Sequence, residues 1–107
     1  MPVRALRCEW SPAAPRAGQP VDVFCTVVND DETMTVPIIC VGVRDAFGHR
    51  YDFPGPKMLA MPSREAVSYK SGSRTFPMGE FRVFVAFRHP DGRWISLPSK
   101  AMFVSPS

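Results

Sequence analysis

The chain has 107 residues, of which 45% are hydrophobic and 21% charged, with twelve prolines and a net charge of +3. That length fits one domain whose core needs no metal or disulfide, and the proline share, about twice the usual one, argues against long helices. Lys and Arg are dispersed without a basic run, so nucleic-acid binding is not indicated, and no apolar stretch reaches the length of a membrane span.

The N-terminal "MPVRALRCEW" lacks the apolar centre of a signal peptide. A first strand is predicted from Val3 to Trp10, ending at the proline-rich loop "SPAAPRAGQP". The second, Val21 to Asn29, alternates valine with Asp22, Phe24 and Thr26. "DDETM" turns the chain into a third strand, roughly Val36 to Asp45, whose apolar content suits the middle of a sheet. "AFGHR" leads to a short strand around Tyr51, and "FPGPK" is a turn centred on Pro-Gly. Met58 to Met61 and Ala66 to Lys70 read as short strands. Glu80 to Arg88 is the strongest strand, with Phe81, Val83, Val85 and Phe87 on one face and Glu80, Arg82, Phe84, Ala86 and Arg88 on the other. "HPDG", with Pro90 in its second position and Gly92 in its fourth, fits a type I turn. Arg93 to Leu97 returns, Pro98 interrupts, and Ala101 to Val104 closes the chain. With no helical periodicity and about seven strands near ten residues apart, the expected fold is an all-β, two-sheet antiparallel sandwich spanning residues 1–107 as one domain.

The odd count of three cysteines leaves at least one thiol unpaired in a monomer. Cys25 shares a face with Val21, Val23 and Val27, so it is expected inside, whereas Cys40 lies opposite to Ile39, Val41 and Val43 and is expected to point outward. Three free thiols are expected, and none reactive, because no partner histidine is implied.

"AGQPVDVFCTVVND", "VGVRDAFGHRY" and "FPMGEFRVFVAFRHPDGRW" together resemble strands two, three, six and seven of immunoglobulin-like and fibronectin-III-like modules of bacterial surface and secreted proteins. The second strand matches a G-x-x-V-x-V-x-x-x-V-x-N pattern from Gly18 to Asn29, and the sixth an F-x-x-G-x-[YF]-x-V-x-V pattern from Phe76 to Val85. The sixth strand has no cysteine and the third no tryptophan, unlike antibody domains. The resemblance implies an immunoglobulin-like sandwich acting as an accessory, spacer or sugar-binding module, with a secreted or cell-surface setting if it belongs to a larger chain.

No nucleophile-elbow, zinc-protease or phosphate-loop pattern occurs, so no enzymatic activity is expected. Asp45, His49 and Asp52 on one hairpin, and His89 beside Asp91, are metal-type ligands, but turns select such residues for conformational reasons. The Asp30, Asp31, Glu32 cluster matches no calcium-loop spacing. Neither metal nor cofactor is expected.

Aromatic residues carry the functional signal. Sugar-binding sandwiches stack pyranose faces on exposed rings, and the candidates are Trp10, Tyr51, Phe53, Tyr69, Phe84 and Trp94. Phe84 stands out because it shares the wet face of Arg82, Ala86 and Arg88. If the third and sixth strands are neighbours, Phe84 joins Cys40 and Gly42 in an apolar patch suited to a partner protein, a neighbouring domain or a second copy in a homodimer. The expected binding residues are therefore Phe84, Arg82, Cys40, Trp94, Tyr51 and Phe53. The leading expectation is a protein-interaction module, with a carbohydrate-binding module and a structural spacer as the alternatives. The loop "FGHRYDFPGPKM", mixing aromatic, basic and proline residues, is a second candidate surface.

Overall fold

A computed structural model describes residues 3–89 and 91–107. Among these residues eight strands form: β1 (Val3–Ser11), β2 (Asp22–Asn29), β3 (Ile38–Asp45), β4 (Lys57–Met58), β5 (Ala66–Lys70), β6 (Gly79–Arg88), β7 (Trp94–Ser96) and β8 (Lys100–Val104). One sheet has the order β1-β2-β5, the other β4-β3-β6-β7, with β8 also paired to β6; all the ladders are antiparallel. The chain is thus an all-β two-sheet sandwich. No helix among the described residues is long and apolar enough to cross a membrane.

Period-two patterning explains the packing. Val23, Cys25 and Val27 of β2 and Tyr69 of β5 face inward from the first sheet, against Ile39, Val41, Val43, Phe81, Val83, Val85 and Phe87 from the second. Each such side chain contributes roughly 1.5–3 kcal/mol by leaving water. At one end, Phe53, Phe76 and Phe81 pack edge to face or tilted, with ring centroids 5.4 Å apart in the Phe53–Phe76 and Phe76–Phe81 pairs. Among the described residues every buried side-chain nitrogen and oxygen has a hydrogen-bond partner.

Two segments depart from the expected strands. Around Tyr51 no strand forms, but the segment still lies along β3: Tyr51 N–H donates to Val43 C=O at 2.9 Å and Phe53 N–H to Val41 C=O at 3.1 Å. The prolines and glycine of "FPGPK" end this partial ladder before it becomes regular. The expected strand from Met58 to Met61 becomes the two-residue β4 and an isolated Thr35–Met61 bridge. β7 and β8 occupy the same edge of β6, β7 beside Ala86–Arg88 and β8 beside Gly79–Val83. They are one strand broken at Pro98, which has no N–H to give the ladder. In the β6–β7 hairpin, Gly92 has a φ of 94° and donates its N–H to His89 C=O at 2.8 Å. Pro90, expected in the second position of this turn, lies outside the described residues.

Candidate functional site on the outer face of the second sheet

The β3–β6 register decides what the outer face of the second sheet carries. Gly42 pairs with Phe84, Cys40 with Ala86, and Arg44 with Arg82. Phe84, Cys40 and Gly42 therefore do meet. An added Cβ on Gly42 would stand 2.5 Å from Phe84 Cζ, so the ring lies directly over the glycine. This close approach requires the missing side chain and explains why an outward phenylalanine is only half-buried: it lies flat on the sheet. The Arg44 guanidinium sits 5.3 Å from the centroid of the same ring, within cation–π range.

Trp94 follows on β7, opposite Arg88. It is 58% exposed and so is not a core plug. Cys40, Gly42, Phe84, Ala86, Trp94 and Ser96 line a depression of about 320 Å³, completed by Arg44, Arg50 and Asp52. Asp52 links two of the arginines, through Arg44 Nη1 to Oδ1 at 2.7 Å and Arg50 Nε to Oδ2 at 3.2 Å. Asp52 Oδ1 also accepts the Val43 N–H at 2.9 Å, which ties the cluster to β3. Burial pushes the Cys40 thiol pKa above its ordinary value, and the nearby Asp52 carboxylate adds to that, so Cys40 acts here as an apolar wall rather than a thiolate.

Arginines lie level across the face. Arg82 is directly opposite Arg44, and Arg44 is bridged to Arg50. Like charges placed opposite one another on a sheet are destabilising. Asp52 relieves Arg44 and Arg50, while Arg82 makes no ion pair among the described residues.

Two of the expected binding residues turn towards the core. Phe53 is only 2% exposed, against Phe76 in the core. Tyr51 is half-buried, with its ring 5.2 Å from that of Phe81 and nearly perpendicular to it. Along "RYDF" the alternation that turns Tyr51 and Phe53 inward turns Arg50 and Asp52 outward. Those two polar residues, not the aromatic ones, complete the site, and alternation against β3 was the signal that could have found them. Of the other aromatic candidates, Tyr69 is buried and bonds Gly55 C=O at 2.5 Å, and Trp10 is half-buried under Lys100.

The polar turn residues are engaged in turn geometry. Asp45 Oδ1 accepts the N–H groups of Phe47 and His49, both at 2.9 Å, and Asp91 Oδ1 accepts that of Arg93 at 2.9 Å. Among the described residues no three His, Cys, Asp or Glu side chains are grouped to hold a metal ion.

No family model matches the chain, and no curated protein does. Among solved structures it is similar to the C-terminal domain of wzt, with a TM-score of 0.71 at 12% identity over 99% of this chain and 75% of that one. It is also similar to part of the alkylpurine DNA glycosylase AlkC of Pseudomonas fluorescens, solved bound to DNA containing an abasic site analog, with a TM-score of 0.62 at 13% identity over 97% of this chain and 30% of that one. At such identities the likeness establishes a shared β-sandwich fold.

Proposed function

We propose that this domain is a non-catalytic, immunoglobulin-like interaction module that docks a partner protein or neighbouring domain on the outer face of its second sheet. The strand order, β1-β2-β5 against β4-β3-β6 with β7 and β8, supports the immunoglobulin-like reading. One observation carries the docking face: a flat apolar floor of Phe84 on Gly42, walled by exposed Trp94 and edged by arginines. Aromatic residues and arginine are the types that anchor protein interfaces. Arg82 opposite Arg44 leaves positive charge uncompensated, so the complementary surface carries carboxylates.

The test is capture from the native cells with tagged protein, identification of the partner by mass spectrometry, and titration of the purified pair. Trp94→Ala and Arg82→Glu should each weaken binding about tenfold or more, the loss of an interface anchor, and added salt should weaken the wild-type complex. Equal affinity of wild type and both variants, with unchanged melting temperatures, defeats the proposal. Sedimentation covers the case of a second copy as partner: a concentration-dependent mass abolished by Phe84→Arg assigns the face to a homodimer.

A second reading has its own support. Trp94 beside Asp52, Arg50 and Ser96 in a depression of about 320 Å³ offers a stacking ring next to hydroxyl-bonding groups, as a carbohydrate site requires. Glycan-array binding lost on Trp94→Ala would favour it, and a blank broad array would count against it.

A further inference from the structure

The first sheet holds a feature that the outer-face reading leaves unused. Cys8 on the edge strand β1 is directly opposite Cys25 on β2. Residues so paired in antiparallel strands have Cα atoms roughly 4.5–5.5 Å apart, inside the span that a disulfide bridges. The two sulfurs are 3.3 Å apart, so small side-chain rotations bring them to bonding distance. Cys25 is buried at 2% exposure, whereas Cys8 is half-buried and lines a surface depression of about 380 Å³ with Arg7, Pro98 and Lys100. One thiol of the pair is thus reachable from solvent, beside Lys100 and the Arg7–Glu9 pair, and the other lies directly behind it.

We infer that Cys8 and Cys25 are a redox pair, in which Cys8 is the attacking thiol and Cys25 the resolving one, and that their oxidant is a small anionic disulfide such as oxidised glutathione. The expectation of unreactive thiols rested on the lack of a partner histidine; here the second thiol takes that role. The hydrogen bond with Cys25 holds the Cys8 pKa below its ordinary value against the opposing effects of burial and of Glu9, with Lys100 assisting. The same hydrogen bond, together with burial, raises that of Cys25, which keeps its proton until Cys8 has reacted.

The chemistry balances in two displacements. The Cys8 thiolate attacks one sulfur of the glutathione disulfide, whose S–S bond breaks as one glutathione thiolate leaves, giving a mixed disulfide on Cys8. Cys25 then loses its proton and attacks the Cys8 sulfur, expelling the second glutathione. Both protein thiols are oxidised, one glutathione disulfide is reduced to two thiols, and the thiol protons pass to the departing thiolates. Glu9 also lines the depression and lies 3.7 Å from Arg7, so Lys100 supplies the positive charge that meets the carboxylates of the tripeptide.

The test is incubation of the reduced, folded protein with oxidised glutathione, followed by alkylation and peptide mapping. The wild type should lose two hydrogens in mass and yield a Cys8–Cys25 linked peptide, while Cys40, outward on the other sheet, stays alkylatable. Cys25→Ser should trap one glutathione on Cys8, and Cys8→Ser should abolish both products. Cys25→Ala repeats the trap with a second side chain, in case the serine hydroxyl perturbs the core. Alkylation of both Cys8 and Cys25 after exhaustive oxidation of the wild type overturns the inference, as does a glutathione adduct confined to Cys40.

Discussion

Asn29 is where stability can be lost through a single polar side chain. It is fully buried at the end of β2. Its Nδ2 donates to Thr33 C=O at 2.8 Å and to Met61 C=O at 3.0 Å, and its Oδ1 accepts the Asp31 N–H at 3.0 Å. One amide thus pins the turn after β2 and couples it to the segment that leads into β5. Asn29→Ala removes three hydrogen bonds and strands the Thr33 carbonyl and the Asp31 N–H, while Met61 C=O keeps the Thr35 N–H. At roughly 1 kcal/mol each, the expected loss is about 3 kcal/mol, a large part of a stability of about 5–15 kcal/mol. Asn29→Asp keeps the shape but points a carboxylate at two carbonyl oxygens, so at neutral pH it should cost more than Asn29→Ala. Burial and those oxygens place the folded pKa of the introduced carboxyl above its unfolded value. Its protonated form donates one bond, so the variant should be relatively most stable below about pH 4 and lose stability as pH rises through the raised folded pKa. Urea denaturation at several pH values reads both effects as midpoint shifts at constant slope. A loss under about 1 kcal/mol for Asn29→Ala, or no pH dependence for Asn29→Asp beyond that of wild type, would refute the bridging role.

Phe87 is fully buried between the sheets, and Phe87→Ala should cost about 3–5 kcal/mol in the same denaturation assay. Gly42→Ala should leave the fold intact but swing the Phe84 ring off the sheet, since its Cβ would stand 2.5 Å from Cζ; nuclear Overhauser contacts between residue 42 and the ring should vanish, and a ring that stays in place would contradict the geometry. Burial first, then the neighbouring Cys40 and Cys25 thiols, push the Tyr69 hydroxyl up to about 12. Because that folded value lies above the unfolded one of about 10, stability should fall as pH rises between them, with phenolate absorbance appearing late in a titration. Tyr69→Phe should remove this alkaline component and cost about 1 kcal/mol through the lost bond to Gly55.

The strands legible in the sequence were those with one wet and one dry face. In β2 and β6 the inward Val23, Cys25, Val27 and Phe81, Val83, Val85, Phe87 alternate with mostly polar neighbours, and the outward direction of Cys40 follows from the same rule in β3. Phe84 on the wet face, and its meeting with Cys40 and Gly42, were also legible once β3 and β6 were taken as neighbours. What was lost belongs to register and to irregular backbone. The Cys8–Cys25 pairing depends on how β1 aligns with β2, and β1 shifts register between Ala5 and Arg7, so no spacing along the chain encodes it. Phe53, expected among the binding residues, lies in the core, because hydrogen bonds to β3 keep its segment in step with the sheet and turn it inward.

The small residues of the outer face bear on whether its apolar character is incidental. A lone exposed hydrophobic residue is ordinary, and Phe47, at 86% exposure in a turn, is such a case. Phe84 differs, because Gly42 beneath it and Ala86 beside it on the same strand leave room for the ring to lie down, and Arg44 covers it. Arg44 is in turn held by Asp52, which is itself anchored to the Val43 N–H. Ring, guanidinium and carboxylate therefore hold one another in place. Immobilising such side chains on binding costs roughly 0.5–1.5 kcal/mol each, and much of that cost has already been met in the free domain. Arg82, at the same level, has no such clamp among the described residues and carries uncompensated charge. In the proposed docking role, Phe84 and Trp94 would set affinity, and Arg82 would set the salt dependence and the rate of encounter.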